Sequence, residues 1–167
     1  MTTDNGRRRV LGLIGPGEQA TPRDVADAFE VAALAARAGW VVATGGRDVG
    51  VMDAASRGAR SEEGIAIGVL PDADARGASR ALDVAIVTGL GELRDHVVVL
   101  SSDAVVVCGM SPGTAAETSL AIQARKPLVL LRPDAEVQAF FQRLSGDAIR
   151  VATTPTEAME IAAALVG

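Results

Sequence analysis

Glu117 and a scattered set of glycine, serine and threonine residues are the positions whose types and spacing could do chemistry. The stretch Gly109-Met110-Ser111-Pro112-Gly113-Thr114 follows a run of small and β-branched apolar residues, Ala104 to Cys108. It leads into a helix-forming run, Thr114 to Ala124. A strand, a tight loop and a helix start leave backbone N–H groups unpaired under the positive end of the helix dipole. That junction suits a phosphate. Ser111 and Thr114 add hydroxyl donors, and Gly113 lets the main chain come close to a ligand. Glu117 lies three residues after Thr114. It either closes a capping box with Thr114 or turns a carboxylate towards whatever the loop binds.

Two more glycine loops follow apolar runs, Gly15 to Ala20 and Gly45 to Gly50. Gly15, Gly17, Thr44, Gly45, Gly46 and Gly109 therefore join Ser111, Gly113 and Thr114 as candidate ligand-binding positions. Gly15-x-Gly17-x-x-Ala20 fits a loose dinucleotide fingerprint. The second strand, however, ends in Ala43-Thr44-Gly45 with no acid for a ribose hydroxyl. An NAD site is rejected on that ground. Three such loops at one sheet edge point instead to a nucleotide or phosphate site.

The remaining reactive side chains are few. One histidine, His96, allows no histidine metal site within the chain. The one lysine, Lys126, precedes Pro127 at a strand start and reads as an ordinary surface residue. Cys108 reads as a small buried apolar residue. Arg94 is either a cation in the site or a solvated helix residue pairing with Glu92 or Asp95. Arg47 and Asp48 read as an exposed loop pair.

The elements that must position these residues alternate. Apolar runs mark strands at Arg9–Ile14, Trp40–Thr44, Ile65–Leu70, Val84–Val87, Ala104–Cys108, Pro127–Leu131 and Ile149–Ala152. Helices follow, with Thr21-Pro22, Asp134 and Thr154-Pro155 as start signals. Glu92 to Ser102 carries conflicting signals: Val97-Val98-Val99 favours a strand, whereas its length and polar start favour a helix. The helix is preferred. Pro71 to Arg80 reads as a mobile polar surface loop. The pattern is that of an α/β fold with a three-layer, doubly wound parallel sheet.

The 167 residues suit a single domain, 1–167, with residues 1–8 expected as a disordered arm. Hydrophobic residues make up 49% and aromatic ones only 2%, so Ala, Val, Leu and Ile must fill the core. One cysteine excludes an internal disulfide and fits a cytoplasmic location. No apolar run is long enough for a membrane span. A net charge of −5 speaks against nucleic acid as a partner.

Two longer stretches, Gly45-Gly46-Arg47-Asp48-Val49-Gly50-Val51-Met52 and Gly109 to Glu117, resemble the paired motifs of a Rossmann-like superfamily. It includes the Lonely Guy phosphoribohydrolases, the molybdenum-cofactor carrier proteins and the Rossmann core of DprA. Gly68-Val69-Leu70-Pro71 and the Thr88 to Ala104 segment look most like the carrier branch. The resemblance implies a cytoplasmic binding protein for a small phosphorylated ligand, an AMP-like nucleotide or the molybdenum cofactor. It also implies a homo-oligomer, dimer or tetramer. The alternative it carries is hydrolysis of the N-glycosidic bond of a nucleoside 5'-monophosphate. In that case Glu117 stabilises the oxocarbenium-like sugar or orients water, Arg94 holds the substrate, and Gly113 and Thr114 hold the phosphate. Gly109, Met110 and Ser111 stand where the hydrolases have Pro-Gly-Gly, and Met110 brings bulk to that corner.

Overall fold

The computed structural model describes residues 6–167. Residues 1–5 of the expected arm lie outside that range; Arg7 forms an ion pair with Asp103 at 2.7 Å.

Seven strands form one parallel sheet. They are β1 (Val10–Ile14), β2 (Val41–Thr44), β3 (Ala66–Leu70), β4 (Val84–Val87), β5 (Ala104–Cys108), β6 (Leu128–Leu131) and β7 (Ile149–Ala152). The helices are α1 (Pro22–Arg37), α2 (Gly50–Ser61), α3 (Arg94–Ser101), α4 (Pro112–Gln123), α5 (Ala135–Ser145) and α6 (Pro155–Val166). Strand order is β4-β3-β2-β1-β5-β6-β7. The chain winds outward from β1 in one direction and from β5 in the other. The loops after β1 and β5 therefore part at the centre of the sheet, and a crevice opens there.

Side chains on each strand alternate between two cores. Leu11, Leu13, Ala104 and Val106 pack with α1, α2 and α6 on one face. Ile14, Val105 and Val107 pack with Val98 and Val99 of α3, Ala121 of α4 and Phe141 of α5 on the other. The valine run in Glu92 to Ser102 thus serves a helix, because two of its members fill the second core while Leu100 stays exposed. With so few aromatic residues, close approach replaces bulk. Gly58 of α2, for example, lies against the main chain of Phe29 in α1.

Local chemistry sets the helix starts. Thr21 and Asp24 form a reciprocal capping box on α1. Asp134 and Thr154 cap α5 and α6 through their side chains. The start of α4 differs from the sequence expectation. The cap is Ser111, whose Oγ accepts from Thr114 N at 3.2 Å, and Pro112 opens the helix. Thr114 therefore lies inside the first turn and Glu117 inside the second, so the Thr114–Glu117 capping box is not formed.

Pro71 to Arg80, expected as a mobile loop, is tied to the body. Arg47 pairs with Asp72 at 2.8 Å, Ser79 Oγ donates to Asp53 Oδ1 at 2.7 Å, and Asp48 N donates to Gly77 O at 2.9 Å. Arg47 and Asp48 are thus the anchor of that segment and not a free loop pair. Among the described residues no helix is long and apolar enough to cross a membrane.

Candidate functional site

The crevice holds a cavity of about 140 Å³ at the carboxyl ends of the central strands. Each neighbouring loop contributes: Gly15 and Gly17 after β1, Gly45 after β2, and Ser111, Gly113 and Thr114 at the β5–α4 turn. The first turn of α3 brings Arg94 and Asp95, and the second turn of α4 brings Glu117. Arg94 and Glu117, far apart in sequence, thus face one space.

Arg94 is not a solvated helix residue. It is 9% exposed, and its Nη1 donates to Gly45 O at 2.7 Å and to Val69 O at 3.1 Å. Its Nε lies 2.6 Å from Asp95 Oδ1, an ion pair too poorly aligned for a hydrogen bond. A planar fork of donors suits several such partners at once, which a lysine could not match. Gly45 is what lets the guanidinium in, since a Cβ there would collide with Arg94 Nη1 and press on Met52. Gly45→Ala is therefore expected to displace Arg94 and to lower stability by about 2 kcal/mol. Thermal unfolding checks this; an unchanged melting temperature would mean that the guanidinium is not seated there.

Glu117 is partly buried beside Asp95. Burial pushes its carboxyl up to about 8, the Asp95 charge and Glu92 add to the rise, and Arg94 opposes it. A hydrogen bond to Asp95, which the neutral acid donates, works in the same direction. Asp95 is itself raised, chiefly by burial, with Arg94 pulling the other way. At neutral pH Glu117 is therefore mostly a neutral acid. Neutral, and with its one proton shared with Asp95, it faces an anion without the repulsion a carboxylate would exert.

The β5–α4 turn supplies the rest. Ser111 and Thr114 hydroxyls lie 2.9 Å apart and share a hydrogen bond. Pro112 has no N–H, Thr114 N–H is used by the cap, and Ala115 N–H reaches Ser111 O. Gly113 N–H is left for a ligand, and the space around its Cα is open. The site can hold one anionic group through the Gly113 N–H, the one hydroxyl proton that the Ser111–Thr114 pair leaves free, and the fixed Arg94 cation.

Not every candidate position reaches this cavity. Thr44 is fully buried, and its Oγ1 accepts from Gly46 N at 2.9 Å. Together they shape the turn that presents Gly45. Gly46 itself packs on Gly68 and accepts from Ser79 N through its carbonyl. Gly109 and Met110 face a neighbouring cavity, so Met110 does not plug the anion corner. Cys108 is 1% exposed, and burial together with Asp27 and Asp24 pushes its thiol well up, which leaves it inert. Sequence reasoning missed Asp95 as a partner in the site, and also Met52, which lines the cavity from the start of α2. Asp95 was signalled by its place next to Arg94, and Met52 by its place at the end of the Gly45 to Met52 stretch.

The family model described as the SLOG cluster4 family matches residues 8–159. The chain belongs to the SLOG cluster4 family. The resemblance carried by Gly45 to Met52 and Gly109 to Glu117 therefore holds for this SLOG protein over nearly its whole length. It is similar to the molybdenum cofactor binding protein of Rippkaea orientalis, at 44% identity and a TM-score of 0.95, covering 96% of this chain and 99% of that one. The molybdenum cofactor carrier protein of Chlamydomonas reinhardtii follows at 40% identity and a TM-score of 0.89, covering 96% and 98%. An uncharacterized protein of Archaeoglobus fulgidus is 32% identical over 149 residues, 89% of this SLOG chain and 91% of that protein.

Proposed function

We propose that this protein binds and carries the molybdenum cofactor, with the cofactor's anionic end in the Arg94–Glu117 cavity. The likeness over 96% of the chain to a molybdenum cofactor binding protein is the observation that carries this reading. The donor set fits it. Gly113 N–H, Ser111 and Thr114 suit a phosphate, and a neutral Glu117 adds no repelling charge. Among the described residues no group of His, Cys, Asp or Glu could hold a metal ion, so in this reading the metal rides on the cofactor's own donors.

Arg94 and Glu117 sharing one cavity is what speaks for the second reading, hydrolysis of a nucleoside monophosphate. One feature weighs against it: an oxocarbenium-like sugar is stabilised by an ionised carboxylate, and Glu117 is neutral near pH 7. We further read the protein as a cytoplasmic homo-oligomer, dimer or tetramer. Its edge strand β4 supports the oligomer, with Val84, Ile86 and Val87 all more than 40% exposed.

Two measurements test the proposal. Incubation with the cofactor followed by desalting should leave molybdenum with the protein in a fixed ratio. Incubation with AMP should release neither adenine nor ribose 5-phosphate. Steady release of adenine that Glu117→Ala abolishes would replace carriage by hydrolysis.

A further inference from the structure

A second cavity, of about 280 Å³, opens beside the first. The same loops build both. After β1, Gly17 lines the first and Gln19 the second; after β5, Ser111 lines the first, Gly109 and Met110 the second. The second cavity is roughly twice the size of the first, whose volume of about 140 Å³ admits little more than an anionic group. A bound molecule with a ring system must extend beyond the first cavity, either here, along the next residues of the same two loops, or into a space of about 290 Å³ that shares Glu92, Asp95, Gly113 and Glu117 with the first and offers no glycine-backed carboxylate.

Donors tell the two apart: the first offers the Gly113 N–H and the Ser111 and Thr114 hydroxyls, whereas the second presents carboxylate acceptors. Asp24 and Asp134 line the second cavity, and its one cation, Arg132, is paired with Asp27 at 3.0 Å. The cavity is therefore richer in acceptors than in free donors. Its apolar walls, Val107, Leu130 and Val137, suit the face of a flat ring. Asp24 is held in place by its surroundings. Its Oδ2 accepts from Thr21 N at 2.9 Å, and its Oδ1 accepts from no described residue. Gly109, at φ +81°, lets the carboxylate lie against the main chain, because a Cβ there would stand 2.6 Å from Asp24 Cγ. A fixed carboxylate with spare acceptor capacity calls for a neutral group rich in N–H donors.

We propose that this cavity takes the heterocyclic end of the ligand, and that Asp24 accepts from the adjacent ring N–H and exocyclic amine of a 2-amino-4-oxopyrimidine. Those two donors lie parallel, as a carboxylate requires. Pterin and guanine share this edge, whereas adenine has a ring acceptor beside its amine and leaves the carboxylate unmatched. The assignment rests on the binding reading above and goes beyond it by naming the group that Asp24 selects.

The test compares the full chain with Asp24→Asn by titration calorimetry, using the molybdenum cofactor, GMP and AMP as ligands. Asn keeps an oxygen that can accept from Thr21 N, so an unchanged melting temperature certifies the fold. Cofactor affinity weakened at least about tenfold in the variant supports the pterin form. GMP bound more tightly than AMP, with that preference lost in the variant, supports the guanine form. Cofactor and GMP affinities untouched by Asp24→Asn overturn the assignment while leaving the binding reading in place. Failure of the unaltered protein to bind the cofactor overturns that reading instead.

Discussion

Glu117→Gln should make the protein more stable at pH 8 and leave it nearly unchanged at pH 5. In the folded chain the Glu117 carboxyl is pushed up to about 8, from an ordinary value of 4.5. Between those two values the folded state keeps a proton that the unfolded chain has released. Unfolding then releases a proton, so stability falls as pH rises across that window and levels off above it. Glutamine has nothing to ionise and removes the slope. The gain at pH 8 is on the order of 2 kcal/mol, allowing for the partial exposure of the site. That corresponds to roughly 4–8 °C in melting temperature for a chain of this size. Thermal unfolding of both proteins at the two pH values reads it directly. Equal differences at pH 5 and pH 8 would mean that Glu117 is not the group that titrates. The same proton governs the ligand. Once Glu117 ionises, above about pH 8, a negative charge faces the anion, and affinity should fall with each further pH unit. In Glu117→Gln that fall should disappear.

Arg94→Ala should cost stability and binding together. The guanidinium satisfies the carbonyls of Gly45 and Val69 and faces Asp95 at 2.6 Å. Alanine leaves all three unpaired in a buried site. Breaking one partner of a buried pair costs about 3–5 kcal/mol, most of it the stranded charge and carbonyls. Arg94→Lys should recover part of this, since an ammonium keeps the charge but not the fork. Arg94 also holds the Glu117 carboxyl down. Its removal should therefore raise that titration further and extend the pH window of the first experiment. Denaturant unfolding of the two variants, repeated in the Glu117→Gln background, separates the contributions. A loss below about 1 kcal/mol in Arg94→Ala would show that the guanidinium supports nothing.

Some features were visible in the residues alone because they are local. Runs such as Ala104–Cys108 and Leu128–Leu131 read as buried strands, and they are 3% exposed or less throughout. Thr21, Asp134 and Thr154 read as helix caps because each cap is made within a few residues of itself. The error at α4 has the same origin. Thr114 and Ser111 both qualify as caps, and the choice fell to Pro112, which prefers the first helical position. Pro71 to Arg80 looked mobile because its anchors, Asp53, Arg47 and Gly46, lie more than twenty residues away.

Composition and periodicity by themselves determined the alternation of strand and helix, the core of small aliphatic side chains and the three glycine loops. Glu117 stood out by its place one turn into the helix, and resemblance to known motifs nominated Arg94. Only the tertiary structure decided that β1 lies beside β5, and with it that both residues share one cavity while Thr44, Gly46 and Gly109 do not. It alone decided between the two readings left open for each: Arg94 is a buried strut and not a solvated helix cation, and Glu117 faces the cavity as a neutral acid and is not a capping-box partner. Strand pairing joins residues far apart along the chain, and desolvation depends on everything packed around a group. Neither quantity is written in a residue's neighbours in sequence.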